Sequence, residues 1–202
     1  MARRGTYRKG REKREEILRV ALETFAEQGY RNSSIRQIAQ RVGLSQQGLM
    51  HHFESKEQLL AEVLALRDTL DGAGLENDLV QGLRDLVHRN AARPGLVRLF
   101  CVLSAEATDP QHPAHGYFAD RYDEVLTIFR ERLESDAHIK TTGLEPEILA
   151  RLFIALLDGL QIQWLLHDDL TMEPAYEAFV DLVFQRPPPP KPRRQPRKAT
   201  RT

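Results

Sequence analysis

One cysteine, one tryptophan and three methionines are all that this 202-residue chain holds of those residue types. A lone Cys101 excludes an internal disulfide framework and suits a reducing compartment, read here as the cytoplasm. No window reaches the ~18 consecutive apolar residues of a membrane span. No apolar stretch follows the basic N-terminus, as one would in a signal peptide. No segment alternates apolar and polar residues with period two, so strands are not expected. Net charge is absent as well, with 29 Lys/Arg against 29 Asp/Glu. That last absence hides a segregation. Residues 1–60 carry twelve basic and seven acidic side chains, residues 61–185 ten and twenty-two, and residues 186–202 seven and none. A polyanion partner is implied for the two ends and not for the middle.

What is present is helical period. Ile17, Leu18, Ala21, Leu22 and Phe25 recur at three- and four-residue spacing, and Gly29 closes that helix. Ser34 and Gln37 form a capping-box pair ahead of a short helix striped by Ile35, Ile38, Ala39 and Val42. Gly43 ends it, Ser45 caps a third helix, and Ser55 with Gln58 opens a fourth. Beyond the break "DGAGLEND", helices are expected at about 78–92, 95–107, 113–136, 145–167 and 173–185. The fold class is therefore all-α: an N-terminal three-helix, helix-turn-helix domain and a larger C-terminal helical domain. The expected organisation is a flexible basic arm at 1–14, the helix-turn-helix domain at 15–54 and the larger domain at 55–186. A basic, proline-rich, disordered tail at 187–202 completes it.

The stretch "VGLSQQGLMHHF", Val42 to Phe53, carries the first functional reading. Two short helices joined by Val42-Gly43-Leu44 fit a helix-turn-helix. Leu49 would pin the second helix against Ile38 and Phe25, leaving Gln46, Gln47, Gly48 and His51 free of core duty. Glutamine suits an adenine edge, reading N6 and N7 together. Gly48 would let the backbone approach a duplex, and His51 can donate to phosphate. Lys56 lies in the first turn of the next helix, where free N–H groups also favour an anion. Arg3, Arg4, Arg8 and Lys9 of the arm can reach backbone phosphates or an adjacent minor groove.

Residues Ile17 to Leu60, "ILRVALETFAEQGYRNSSIRQIAQRVGLSQQGLMHHFESKEQLL", resemble the DNA-binding domain of the TetR family of bacterial transcriptional regulators. The resemblance rests on F-x-x-x-G-Y at the end of helix one, S-I-x-x-I-A in helix two, the G-L-S turn, and H-F-x-S-K-E-x-L-L leading into helix four. It covers about the first 65 residues. It implies a homodimer that binds a palindromic operator in double-stranded DNA and is released by a small-molecule effector. It also implies a four-helix subunit interface made by the last two long helices of each subunit. On that pattern the DNA-contacting set includes Ser34, Ser45 and His52 beside the residues already named. Two positions depart from it: Gln46 stands where many members have lysine, and Met50 where many have tyrosine. Phosphate contact then falls to Lys56, His51 and the arm.

The larger domain offers broader expectations. Ile148 to Leu166 is apolar almost all round, interrupted only by Arg151, Asp158, Gln161 and Gln163, and must be covered on more than one side. A subunit interface is expected to use Phe153, Leu157, Leu160, Trp164, Phe179 and Val183. Polar and aromatic residues within apolar helices mark a ligand pocket: His88, Asn90, Phe100, Cys101, Ser104, Tyr117, Phe118, Tyr122, Gln161 and Trp164. The same residues serve equally well as core or subunit contacts. His112 and His115, near Glu106 and Asp109, have metal-ligand chemistry, but Pro113 stands between them and no Glu-x-x-His pair occurs. Neither metal nor cofactor is expected. Cys101, Ser104 and Glu106 lack a local histidine to activate them, so catalysis is not expected. The alternative to a ligand-responsive repressor is a sequence-tolerant DNA-packaging protein, which has little use for an acidic helical domain of this size.

Overall fold

The computed structural model describes residues 2–71, 78–135 and 143–184, with backbone alone for 2–7, 70, 71 and 184. All regular structure among them is helical: α1 (Ala2–Gln28), α2 (Ile35–Arg41), α3 (Gln46–Met50), α4 (Lys56–Asp71), α5 (Leu79–Ala91), α6 (Pro94–Glu106), α7 (His115–Ser135), α8 (Pro146–Leu166) and α9 (Glu173–Phe184). The side chains of Arg3 and Arg4, and the tail expected at 187–202, lie outside the described residues.

Local chemistry sets the short helices of the N-terminal head. Ser34 accepts from the Gln37 N–H at 3.2 Å and Ser45 from the Gly48 N–H at 3.0 Å, so both caps are made. The first box is only half closed, because the Gln37 amide reaches Gln28 at 3.0 Å instead of turning back. Between α2 and α3 the chain turns at Gly43, whose φ of 69° lies in the left-handed region that glycine enters freely. The Leu44 N–H then returns to the Ala39 carbonyl at 2.8 Å, and Ala39 is small enough to be buried there.

The structure starts the first helix earlier than the apolar period predicts. α1 begins at Ala2, not near Glu15. Once Ile17 to Phe25 anchor a helix, each added residue gains one hydrogen bond without a new nucleation cost. Arg8–Glu12 and Arg11–Glu15 pairs at i,i+4, and Lys13–Glu16 at i,i+3, favour its extension.

One apolar cluster joins α1 to α4 with α6 and the start of α7, running from Ile17, Phe25, Ile38 and Leu49 through Leu59 and Leu64 to Leu99, Phe100 and Phe118. It crosses the boundary expected at residue 54. α6 meets α1 so closely that a Cβ on Gly95 would lie 3.0 Å from the Ala26 carbonyl oxygen. A second cluster joins α5, α7, α8 and α9 around Leu83, Phe129, Phe153, Tyr176 and Val180. In it the Tyr176 hydroxyl donates to the Val80 carbonyl at 2.8 Å.

α8 also corrects the expectation about long apolar segments. With a mean hydropathy of 1.5 over its best window, it is long and apolar enough, by length and composition, to cross a membrane. In the fold it is a bundle helix packed against α6, α7 and α9.

Candidate nucleic-acid interface and ligand cavity

The head presents α3 outward. Leu49 is its one fully buried side chain, while Ser45, Gln46, Gln47 and His51 are exposed and Gly48 and His52 half-buried. Two basic side chains of α1 hold this unit from behind. Lys13 Nζ donates to the Val42 carbonyl at 2.7 Å. Arg14 lies 4.2 Å over the Phe53 ring, donates to the His52 carbonyl, and reaches Glu62 Oε2 at 2.6 Å. Arg14 thus satisfies a carbonyl at the end of α3 while tying α1 to α4.

Lys56 is placed differently from its expected role. Its ammonium donates to the Tyr30 carbonyl at 2.6 Å and lies 4.3 Å from the Tyr30 ring centroid. Burial lowers its pKa from the ordinary lysine value, with Glu57 opposing. The Tyr30 phenol is pushed up to about 12 by burial and by Glu57, so it stays protonated. Lys56 thus ties the start of α4 to the loop between α1 and α2. Sequence reasoning missed Arg36, an exposed cation in the first turn of α2 with no side-chain partner among the described residues. The signal was available: it follows the Ser34 cap by two positions, where a stripe of Ile35, Ile38 and Ala39 leaves it facing out.

A cavity of about 530 Å³ opens between α4, α5, α7 and α8. Its lining combines the apolar side chains Leu83, Leu86, Val125, Phe129 and Ile154 with the polar and charged Arg67, Asp68, Asn90, Tyr117, Arg121, Asp158 and Gln161. Arg121 Nε donates to Asp68 at 2.8 Å, and the Tyr117 hydroxyl donates to the same carboxylate. The Tyr122 hydroxyl donates to Asp158 at 2.7 Å. Burial, and then the neighbouring carboxylates, push both phenols well above the ordinary tyrosine value.

Residues 17–63 match the family described as bacterial regulatory proteins, tetR family. The HTH-type transcriptional repressor AcnR of Corynebacterium diphtheriae is 32% identical over 155 residues, covering 73% of this chain and 78% of that protein. The chain belongs to the TetR family. A transcriptional regulator from Rhodococcus sp. Rha1 has the same fold, with a TM-score of 0.70 at 22% identity over 85% of this chain and 96% of that one. So has AibR, solved in complex with isovaleryl coenzyme A and operator DNA, with a TM-score of 0.59 at 21% identity over 85% of this chain and 98% of that one.

For a TetR-family regulator, the residues expected at the ligand pocket divide into three groups. Tyr117 and Gln161 line the cavity, as does Asn90. Phe100, Cys101, Ser104 and Tyr122 stand behind its wall. Phe100 packs under the Arg67 and Arg121 guanidinium groups, Cys101 Sγ approaches Gln161 at 3.9 Å, and Ser104 Oγ donates to the Cys101 carbonyl at 3.0 Å. His88 and Trp164 are corrections. His88 is exposed beside Arg84 and Glu177 on a separate surface, and Trp164 packs on the second apolar cluster. Arg67, Asp68, Arg121 and Asp158 went unnamed as pocket candidates, although a charge at a core-facing position of an apolar helix is their visible sign.

The expected interface residues need correction as well. Phe153, Leu160 and Val183 are buried within the subunit, and Phe179 stacks edge-on to Phe153 at 4.8 Å. Leu157 and Trp164 pack against the same cluster. These side chains already have intrachain partners. The outward face of α8 is instead Ile148, Leu152, Ala155, Gly159, Ile162 and Leu166, one stripe at helical spacing, with Leu182 of α9 beside it.

The two histidines weighed as metal ligands have protein partners. His112 Nε2 lies 3.7 Å from Glu106 and its Nδ1 accepts from the Ala114 N–H at 3.2 Å, while His115 Nδ1 meets the Ala107 carbonyl at 2.8 Å.

Proposed function

We propose that this TetR-family protein is a homodimeric repressor of transcription in the cytoplasm, bound to a palindromic operator and released when a small molecule fills the cavity of the larger domain. The observation that carries the reading is the outward face of α3. It is polar, capped and braced from behind by Lys13, Arg14 and Leu49, so its side chains are free to enter a major groove on a rigid support. Gln46 and Gln47 read bases, while Arg36, Ser34, Ser45 and His51 contact phosphates. Arg8 and Lys9 extend α1 about one turn beyond Lys13, which touches the Val42 carbonyl at the helix-turn-helix turn, and they add backbone contacts there. The pairing surface is the outward stripe of α8 with Leu182, where Ala155 and Gly159 permit close approach of a partner helix.

Three substitutions separate these roles by fluorescence anisotropy on operator and random duplexes across a salt series. Gln47→Ala should cost about 1–3 kcal/mol on the operator and relax one base position in each half-site. Arg36→Ala should weaken all sequences alike and reduce the salt slope by about one. Lys56→Ala should leave the slope nearly unchanged and lower the melting temperature of the head. A Lys56 variant that reduces the slope as Arg36→Ala does would return Lys56 to the phosphate role.

Family membership also weighs against a packaging protein, whose contacts would be sequence-tolerant. Footprinting on chromosomal fragments tests this reading. A short protected segment with two-fold symmetry supports the repressor, and continuous protection along every fragment overturns it.

A further inference from the structure

This inference rests on reading the cavity as the effector site, and it concerns what the effector is. The charged groups along the cavity are not equally occupied. Arg121 is held by Asp68 at 2.8 Å, and the Tyr117 hydroxyl adds a second bond to that carboxylate. The guanidinium of Arg67 lies 3.8 Å over the Phe100 ring, with Arg121 at 4.6 Å from the same ring. Arg121 is thus held by a carboxylate, and Arg67 makes a ring contact.

Asp158 is in a different state. It interrupts the apolar run of α8, and the Tyr122 hydroxyl at 2.7 Å makes the one side-chain hydrogen bond it accepts among the described residues. Burial raises its carboxyl above the ordinary value in spite of Arg121 and Arg67 nearby, a penalty that a bound cation would relieve. One turn along, Gln161 is 6% exposed, and its amide oxygen has only the 3.9 Å contact from the Cys101 thiol. Asn90 lines the same cavity and is 3% exposed, and its side-chain amide makes no hydrogen bond among the described residues. Here one carboxylate oxygen and two amide oxygens line the same cavity. At its rim stand the exposed acids Asp120 and Glu124, so two lining arginines face four lining carboxylates.

We propose that the cavity takes an organic cation: an amphipathic amine whose ammonium is held by Asp158 with the amide oxygens of Asn90 and Gln161, and whose apolar body lies against Leu83, Val125 and Phe129. An ammonium needs acceptors and counter-charge, and this lining supplies both. An anion of the same size would meet excess negative charge at the rim and, in Arg121, a guanidinium already held by Asp68. The volume of about 530 Å³ accommodates a mid-sized organic molecule.

The test uses three probes of one chain length, n-decylammonium, decan-1-ol and decanoate, below their aggregation concentrations. Binding to the full chain is measured by titration calorimetry. Decylammonium should bind about tenfold or more tighter than either of the others. Asp158→Asn, close to isosteric, should bring the amine level with the alcohol while leaving alcohol binding intact. Asn90→Asp, which adds a further carboxylate to the same lining, should tighten the amine further. Decanoate binding as tightly as decylammonium overturns the proposal, as does an amine preference that survives Asp158→Asn. Operator binding measured on the same samples separates the two levels. Sequence-specific DNA binding without amine binding ends this inference and leaves the repressor standing. Amine binding without operator release supports the ligand class and removes its effector role.

Discussion

Leu152→Asp combined with Ile162→Asp should turn the protein into monomers and lower operator affinity by about a hundredfold or more, because two linked heads bind far more tightly than one. Leu152 is 44% exposed, Ile162 49% and Leu166 73%, on one outward stripe of α8. Carboxylates at the first two positions remain solvated in a single subunit, so its helical content and melting temperature should change little. In a dimer they would be buried against apolar side chains with no counter-charge, a cost that pairing cannot offset. Sedimentation velocity reads the mass and circular dichroism the fold. The contrasting pair, Phe179→Asp with Val183→Asp, acts on side chains packed inside the subunit and should unfold the larger domain. A double variant at Leu152 and Ile162 that remains dimeric with unchanged operator affinity would place the interface elsewhere.

Leu49→Ala should abolish operator binding while the larger domain stays folded. α3 is only five residues long and could not persist alone. Leu49 is its single fully buried side chain, and its truncation costs about 2–5 kcal/mol by lost transfer and cavity formation. The Ser45 cap and the Arg14 contact with the His52 carbonyl remain, but neither supplies apolar burial. Hydrogen exchange should accelerate across α2 and α3. Fluorescence of Trp164, the sole tryptophan, reports the second cluster and should keep its folded signal. Operator affinity equal to that of the unmodified protein would show that α3 is held by something other than this anchor.

Much of the head was legible in the sequence because its determinants are local. Ser34, Ser45 and Gly43 act within a few residues of where they stand, and the stripe through Ile38 and Leu49 has one consistent inside. The same is true of the helices of the larger domain, whose ends lie within about two residues of those expected. What was hidden depends on neighbours distant in the chain. Nothing near Lys56 reveals that the Tyr30 carbonyl, 26 positions earlier, receives its ammonium. Phe153 and Leu152 are adjacent on an apolar helix, and only the packing of α7 and α9 decides which faces inward. The basic arm has few apolar residues, yet a helix nucleated downstream extends through it. The cavity was half visible: Tyr117 and Gln161 were named, whereas Asp158 was read only as an interruption of an apolar run.

The central claim is that α3 reads one two-fold-symmetric sequence through its glutamines. Selection of bound duplexes from a random DNA pool tests it most directly, performed with the unmodified protein and with Gln47→Ala. The unmodified protein should return a palindromic consensus, and the variant the same palindrome with one position relaxed in each half. A pool that emerges without a consensus, or a consensus untouched by the loss of Gln47, would contradict the account.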